Sequence, residues 1–275
     1  MNTILISGGG IAGLTLAIKL GQAGLPVQII SPKEQTEGFG LQLSPNATSR
    51  LAQLGIGKEL AKQAIPPQAL LFHHRQNPTP FLRLEMGKMV EQRYNAPYLC
   101  LSRKTLHQTL SDTANSLPSV ERITAEAKSF TQKADTITLT LTDGTKLKGA
   151  ALIACDGITS PMARFAFNAE PKPSGYEAWR WKTKKAGKTI NLFLNKNSHH
   201  LHYPIGADET NHIAICRTGT KPKDSKNMQN WRLWKRAPLP SWQKDRMALL
   251  GDSAHPLLPS LAQGTCMAIE DAFFL

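Results

Sequence analysis

The stretch Ile4-Leu5-Ile6-Ser7-Gly8-Gly9-Gly10-Ile11-Ala12-Gly13 decides how the rest of the chain is read. Residues 4–7 are a short apolar run suited to a buried strand, and a glycine turn ends it at once. From 11 to 23, Leu14, Ala17, Ile18 and Leu20 recur at helical spacing, Gly24 supplies a helix stop, and residues 27–30 form a second apolar strand. Two strands joined through a helix are parallel, so the opening thirty residues predict a doubly wound α/β unit of the Rossmann type. Gly8, Gly10 and Gly13 match G-x-G-x-x-G in the context the motif requires. The first permits the tight turn, the second lets backbone N–H groups approach a pyrophosphate, and the third lets the helix pack closely on the strand. Ile11 and Ala12 then occupy the positively polarised helix start. An acidic residue usually closes the second strand of such a unit to hold a ribose diol. Here that place is Ser31, and Glu34 is near enough in sequence to substitute.

Composition narrows the class of protein without naming an activity. With 275 residues, 41% hydrophobic and 19% charged, the chain can bury a sizeable core. A formal charge of +13 raises the question of nucleic acid. The densest lysine groups, at 182–188 and 221–226, lack interleaved aromatics and match no nucleic-acid motif, so they read as solvated loops. Cys100, Cys155, Cys216 and Cys266 are far apart, lie among apolar neighbours and show no C-x-x-C spacing. This argues for reduced core thiols in a cytoplasmic protein and against a metal site. No signal-peptide pattern opens the chain, and no apolar run reaches the roughly 18 residues of a membrane span.

Downstream, residues 44–60 read as a helix closed by Pro66-Pro67, 70–84 as strand-forming, and 103–114 as a helix. Residues 136–141 and 146–148 flank Asp143-Gly144, a hairpin signal. Between 174 and 217 the pattern shifts to half-polar strands at 189–194, 200–204 and 212–216, which reads as an inserted sheet. The segment 220–230 is polar and irregular, and Trp231, Trp234 and Trp242 among prolines suggest a loop or cover. A strand at 246–250 and a helix at 263–275 follow.

Two further motifs place an Asp at the end of a buried strand, where ligands sit in open α/β sheets. The first is Leu152-Ile153-Ala154-Cys155-Asp156-Gly157-Ile158-Thr159-Ser160. The second is Leu249-Leu250-Gly251-Asp252-Ser253-Ala254-His255-Pro256, which continues through Pro259 and Gly264 to Glu270-Asp271-Ala272.

With these three motifs in this order, joined by residues 38–47 and by Ser102-Arg103-Lys104-Thr105-Leu106, the chain resembles the class A FAD-dependent aromatic hydroxylases, in particular their salicylate hydroxylase-like branch. The resemblance implies a Rossmann-type FAD-binding domain with an inserted β-sheet substrate domain, p-hydroxybenzoate hydroxylase-like. Residues 1–170 would form the FAD domain, with part of the substrate sheet near 66–100. The substrate sheet would occupy 171–243, and 244–275 would return to the FAD domain and stop early relative to the family. Gly8, Gly10, Ile11, Ala12 and Gly13 would hold the pyrophosphate and Ser31 would face the adenosine ribose. Arg103, Ala127, Asp156 and Gly157 would contact FAD, Asp252 would bond its ribityl hydroxyls, and Pro259 to Gly264 would lie against the isoalloxazine.

The implied reaction uses NAD(P)H and O2 to hydroxylate a small phenolic acid-like substrate. His199, His202 and Tyr203 would be its catalytic residues, with Trp179, Arg180 and Trp181 edging the pocket and His255 near the cofactor cleft. Three features depart from the family: Ser31 replaces the acid, Ala163 stands where an arginine is usual with Arg164 one place later, and the chain stops early. They make an eroded or truncated flavin-binding relative the alternative. A flavin-dependent halogenase is further off, because Lys182 and Thr183 follow Trp179-x-Trp181 where that signature has Ile-Pro.

Overall fold

The computed structural model describes residues 3–32, 38–75, 77–184, 187–223 and 225–275. The chain divides into two compact units, the first made of Met1–Thr36, His107–Lys172 and Lys235–Leu275 and the second of Glu37–Leu106 and Pro173–Trp234. The second unit therefore takes residues 37–106, more of the early chain than the stretch near 66–100 assigned to it from sequence.

In the first unit the strands Gln243–Lys244, Met247–Leu249, Ala151–Ala154, Ile4–Ser7, Val27–Ser31 and Val120–Thr124 lie side by side in that order. All neighbours are parallel except the first pair. A sheet packed on both faces needs near-continuous apolar strands, and Leu5, Ile6, Ile29 and Leu152 are fully buried. Each such side chain contributes about 1.5–3 kcal/mol. Helix Ile11–Gln22 buries residues on most of its circumference and packs against the last helix, Gly264–Phe274. Beside the parallel sheet, Ala127–Lys133, Thr136–Leu141 and Lys146–Gly149 form a three-stranded antiparallel sheet. Its hairpin turns at Gly144, φ +89°, where Asp143 Oδ1 accepts from the Thr145 N–H at 2.9 Å. Phe130, Ile137, Leu139 and Leu141 join Met162 and Ala163 in one core cluster.

The second unit is built on a seven-stranded sheet in the order Gln229–Lys235, Lys172–Lys184, Glu209–Arg217, Ser198–Pro204, Thr189–Leu194, Ala69–His74 and Leu82–Glu85. The strand at 229–235 corrects the expectation of a loop around Trp231 and Trp234. The alternation Trp231, Leu233 with Asn230, Arg232 suits an edge strand, and the prolines that suggested a loop begin only at Pro238. The run 70–84 is broken by Pro78 and Pro80 into two antiparallel strands. The predicted helix at 44–60 is two helices, Pro45–Gln53 and Gly57–Gln63, separated at Gly55, whose φ of +84° ends the first. Among the described residues no helix is long and apolar enough to cross a membrane, and all four cysteines are buried thiols.

Candidate functional site

Parallel strands present their C-terminal ends at one edge, and in the first unit four predicted site segments follow adjacent strands there. They are the Gly8 turn after Ile4–Ser7, Ser31 closing Val27–Ser31, Asp156 after Ala151–Ala154, and Asp252 after Met247–Leu249. Packing joins them. A Cβ on Gly8, φ +110°, would lie 2.4 Å from the Cys155 carbonyl oxygen and 2.9 Å from the Asp156 nitrogen, and one on Gly13 would lie 2.0 Å from the Gly8 oxygen. A Cβ on Gly10 would meet nothing within 4 Å. No side chain caps the start of helix Ile11–Gln22 and no acid stands in its first turn. The helix start thus offers N–H groups and open space to an anion, as a pyrophosphate requires.

Asp156 and Asp252 meet different surroundings. Asp156 Oδ2 accepts from the Ser7 hydroxyl at 3.2 Å. Burial pushes its carboxyl up to about 6, against the opposing pull of the Ser160 and Ser7 hydroxyls. Gly157 follows at φ +80°. Asp252 is exposed, in the single turn Gly251–Ser253. Its Oδ1 lies 3.9 Å from where a Cβ on Gly264 would stand, which brings the turn next to the start of the last helix. Pro259 opens the short turn Pro259–Leu261 between them.

In the second unit the strand Ser198–Pro204 separates the three residues expected to act together. Side chains alternate along a strand, and the register sets Tyr203 opposite Asn211 and His202 opposite His212. Tyr203 and His199 share one face. His202 lies on the other, so the structure does not bring the three expected residues together on one face. On the Tyr203 side, burial pushes the phenol far above its usual range, while Arg180 and hydrogen bonds with Gln42 and Asn211 pull it down. Tyr98 donates to Gln42 Oε1 at 2.7 Å, and the Gly40 N–H donates to Asn211 Oδ1 at 2.7 Å. The Arg180 guanidinium sits over the Trp231 ring at 5.4 Å, and Phe39 meets that ring edge-on at 5.2 Å. Trp179 and Trp181 alternate away from Arg180.

On the His202 side the sequence missed an array of near-parallel rings. Trp181, His212, His200, His202 and Phe193 stack at centroid distances of 4.8–5.8 Å, and His73 stacks on Phe193 at 4.3 Å. Burial, then neighbouring imidazoles, pushes His200 down to about 3 and His212 to about 4, so these rings are neutral at physiological pH. Among the described residues no group of three or more His, Cys, Asp or Glu is arranged to hold a metal ion.

The sequence matches the family described as "FAD binding domain" over residues 1–221 and 207–275. The chain belongs to the FAD binding domain family. It is 29% identical to 3-amino-4-hydroxybenzoate 2-monooxygenase PtmB3 of Streptomyces platensis, over 99% of this chain and 78% of that protein. Identity to 3-hydroxybenzoate 6-hydroxylase of Klebsiella oxytoca is 28%, over 98% of this chain and 78% of that protein. Klebsiella pneumoniae HpxO, solved in complex with FAD and uric acid, shares the fold with a TM-score of 0.87 at 21% identity, over 98% of this chain and 78% of that one. Within the FAD binding domain family the protein is a class A flavoprotein aromatic hydroxylase, an FAD-dependent monooxygenase with the p-hydroxybenzoate hydroxylase-like fold.

The departures from the family pattern have local explanations. Ala163 is fully buried, and its N–H is capped by the Ser160 hydroxyl at 2.9 Å, so a guanidinium could not be housed there. Arg164 points outward instead and pairs with Glu170 at 2.8 Å. Ser31 is buried, 6% exposed, and Glu34 lies outside the described residues. Ala127 packs its side chain against the core cluster just past the end of strand Val120–Thr124, which leaves its backbone for any ligand contact. Arg103 is exposed at the start of helix Arg103–Asn115 in the second unit, and its N–H donates to the Phe39 carbonyl at 2.7 Å.

Three residues with clear contacts to the motif loops were missed or left undecided. His107 Nε2 lies 3.0 Å from the Gly9 carbonyl oxygen. Arg236 Nη2 donates to the Ser253 and Ala254 carbonyls at 2.6 and 2.8 Å. Asp271 Oδ2 lies 2.6 Å from His255 Nε2 and accepts from the Gly251 N–H at 2.9 Å. Each is far in sequence from its partner loop except for the His255–Asp271 pair, whose separation of sixteen residues carries no periodic signal.

Proposed function

We propose that this monooxygenase hydroxylates a small phenolic acid-like aromatic with NAD(P)H as reductant and O2 as oxidant. Gly8, Gly10, Ile11, Ala12 and Gly13 hold the FAD pyrophosphate, with Ser31 toward the adenosine ribose. Arg103, the Ala127 backbone, Asp156 and Gly157 make further contacts with FAD. Asp252 holds the ribityl chain, and the segment from Pro259 to Gly264 borders the flavin ring. The uncapped helix start and the space in front of Gly10 fit that group. When bound, the flavin supplies the redox and oxygen-activating chemistry.

The chain's own residues bind and orient the substrate and handle its proton. The observation that carries the substrate reading is the buried Tyr203 hydroxyl on the same sheet face as Arg180. Tyr203 stays protonated and serves as a fixed hydrogen-bonding group, while the Arg180 charge favours an anionic ring substituent or phenolate. His199, on the same face with its pKa lowered by burial, is neutral and able to accept a phenol proton. Hydroxybenzoate and hydroxynicotinate monooxygenases among the relatives point to the same substrate class.

The test is to purify the chain with its flavin and measure NADH and NADPH oxidation against a panel of hydroxybenzoates and hydroxypyridine carboxylates. Substrate-stimulated oxidation with hydroxylated product is expected. A flavin-loaded protein that none of the panel stimulates would overturn the substrate reading.

A further inference from the structure

The turn that carries Asp252 is held from the last helix by an ion pair between Asp271 and His255. Gly251 has φ +64°, and a Cβ there would lie 3.1 Å from the Ala268 Cβ on the last helix and 3.3 Å from the Ala12 Cβ on the first. The turn is therefore pressed between the two helices, and a small sideways shift of it would redirect the Asp252 carboxylate. Asp271, on the last helix, meets the turn at both ends with one oxygen: Oδ2 accepts from the Gly251 N–H before Asp252 and bonds His255 Nε2 after it. The pair is shielded, with side chains 12% exposed for His255 and 23% for Asp271. Such a pair is less weakened by solvent than a surface one. On the exit side Arg236 holds the Ser253 and Ala254 carbonyls.

We propose that His255 and Asp271 form a charged clamp that positions Asp252 for the ribityl chain of FAD, which makes both of them positioning residues of the cofactor site. This rests on the reading that Asp252 contacts FAD. The groups facing His255 are Asp271 on the last helix, Asp252 in the turn, Arg236 lining the same cavity, and the Trp242 ring at 5.0 Å. The imidazole's other nitrogen, Nδ1, is buried without a hydrogen-bond partner. The hydrogen bond to Asp271, and then its charge, raise the His255 pKa above the usual imidazole range, with burial acting the other way. A raised histidine pKa means the clamp is fully charged below the ordinary imidazole value and loses its charge as pH rises through the raised one.

The test is FAD titration into the flavin-free full chain between pH 6 and 9, followed by flavin fluorescence, for wild type, His255→Gln, Asp271→Asn and Asp252→Ala. Wild-type affinity is expected to weaken toward pH 9. His255→Gln keeps a neutral donor, so its affinity should be several-fold weaker at pH 6 and flat with pH, a response that lost packing alone would not produce. Asp271→Asn should weaken binding roughly tenfold or more, the scale of a hydrogen bond to a charged group. If Asp252→Ala binds FAD as wild type does, the underlying reading of Asp252 fails. If Asp252→Ala weakens binding while His255→Gln keeps wild-type affinity and pH response, the clamp is overturned, whether or not Asp271→Asn folds.

Discussion

Asp156 and Asp252 stand just past the ends of neighbouring parallel strands, in motifs that look alike in sequence, yet the fold gives them opposite environments. Asp156 is half-buried beside the Gly8 turn, with its carboxyl pushed up to about 6 by desolvation. Asp252 is exposed on a turn that other residues hold from outside. A strand-end aspartate is thus two different devices. One costs stability when ionised and backs onto the glycine turn; the other stands exposed beside the start of the last helix.

The largest expected effect comes from crowding the glycine turn against which Asp156 packs. Gly8→Ala places a methyl against the Cys155 and Asp156 backbone at a positive φ, and should cost roughly 3 kcal/mol or more or prevent folding. Thermal unfolding that stays within a few degrees of wild type would show that the turn does not abut Asp156 as described.

Next comes Asp156 itself. Its pKa is about 6 folded against 3.8 as the ordinary value. A raised carboxyl pKa means the unfolded chain ionises first, so this group lowers flavin-free stability as pH climbs from about 4 to about 6. The full effect is on the order of 3 kcal/mol above that window. Asp156→Asn should raise stability at pH 7 and flatten that slope in urea titrations. A slope that persists undiminished in Asp156→Asn would show that the Asp156 carboxyl is not its source.

The same contrast of buried against accessible runs across strand Ser198–Pro204 and predicts a smaller effect. Tyr203→Phe removes a buried hydroxyl bonded to Gln42 and Asn211 and should reduce substrate-stimulated turnover roughly ten- to a hundredfold. His202→Ala, on the opposite face, should change it less than about twofold. Equal losses in steady-state assays would show that strand face does not separate the roles of His202 and Tyr203.

The strand, helix and strand at the start of the chain were legible because every signal there is local: glycine positions, helical spacing and a stop residue. The Asp-Gly hairpin was legible for the same reason. The alternation at 199, 201 and 203 against 200 and 202 was also present in the sequence, and applying it would have divided His202 from Tyr203 without a structure. Trp231 and Trp234 were misplaced because their strand lies at a sheet edge and is largely exposed, and nearby prolines outweighed its alternation.

The sequence by itself determined the parallel α/β unit, the three motifs and the FAD chemistry they announce, since turn geometry and strand-end position depend on a few neighbouring residues. Only the tertiary structure decided the burial of Asp156 and the exposure of Asp252, the stacking of the histidine rings, and the partnership of Asp271 with Gly251 and His255. Those properties depend on burial and on register between distant strands, and both are set by the packing of the whole chain.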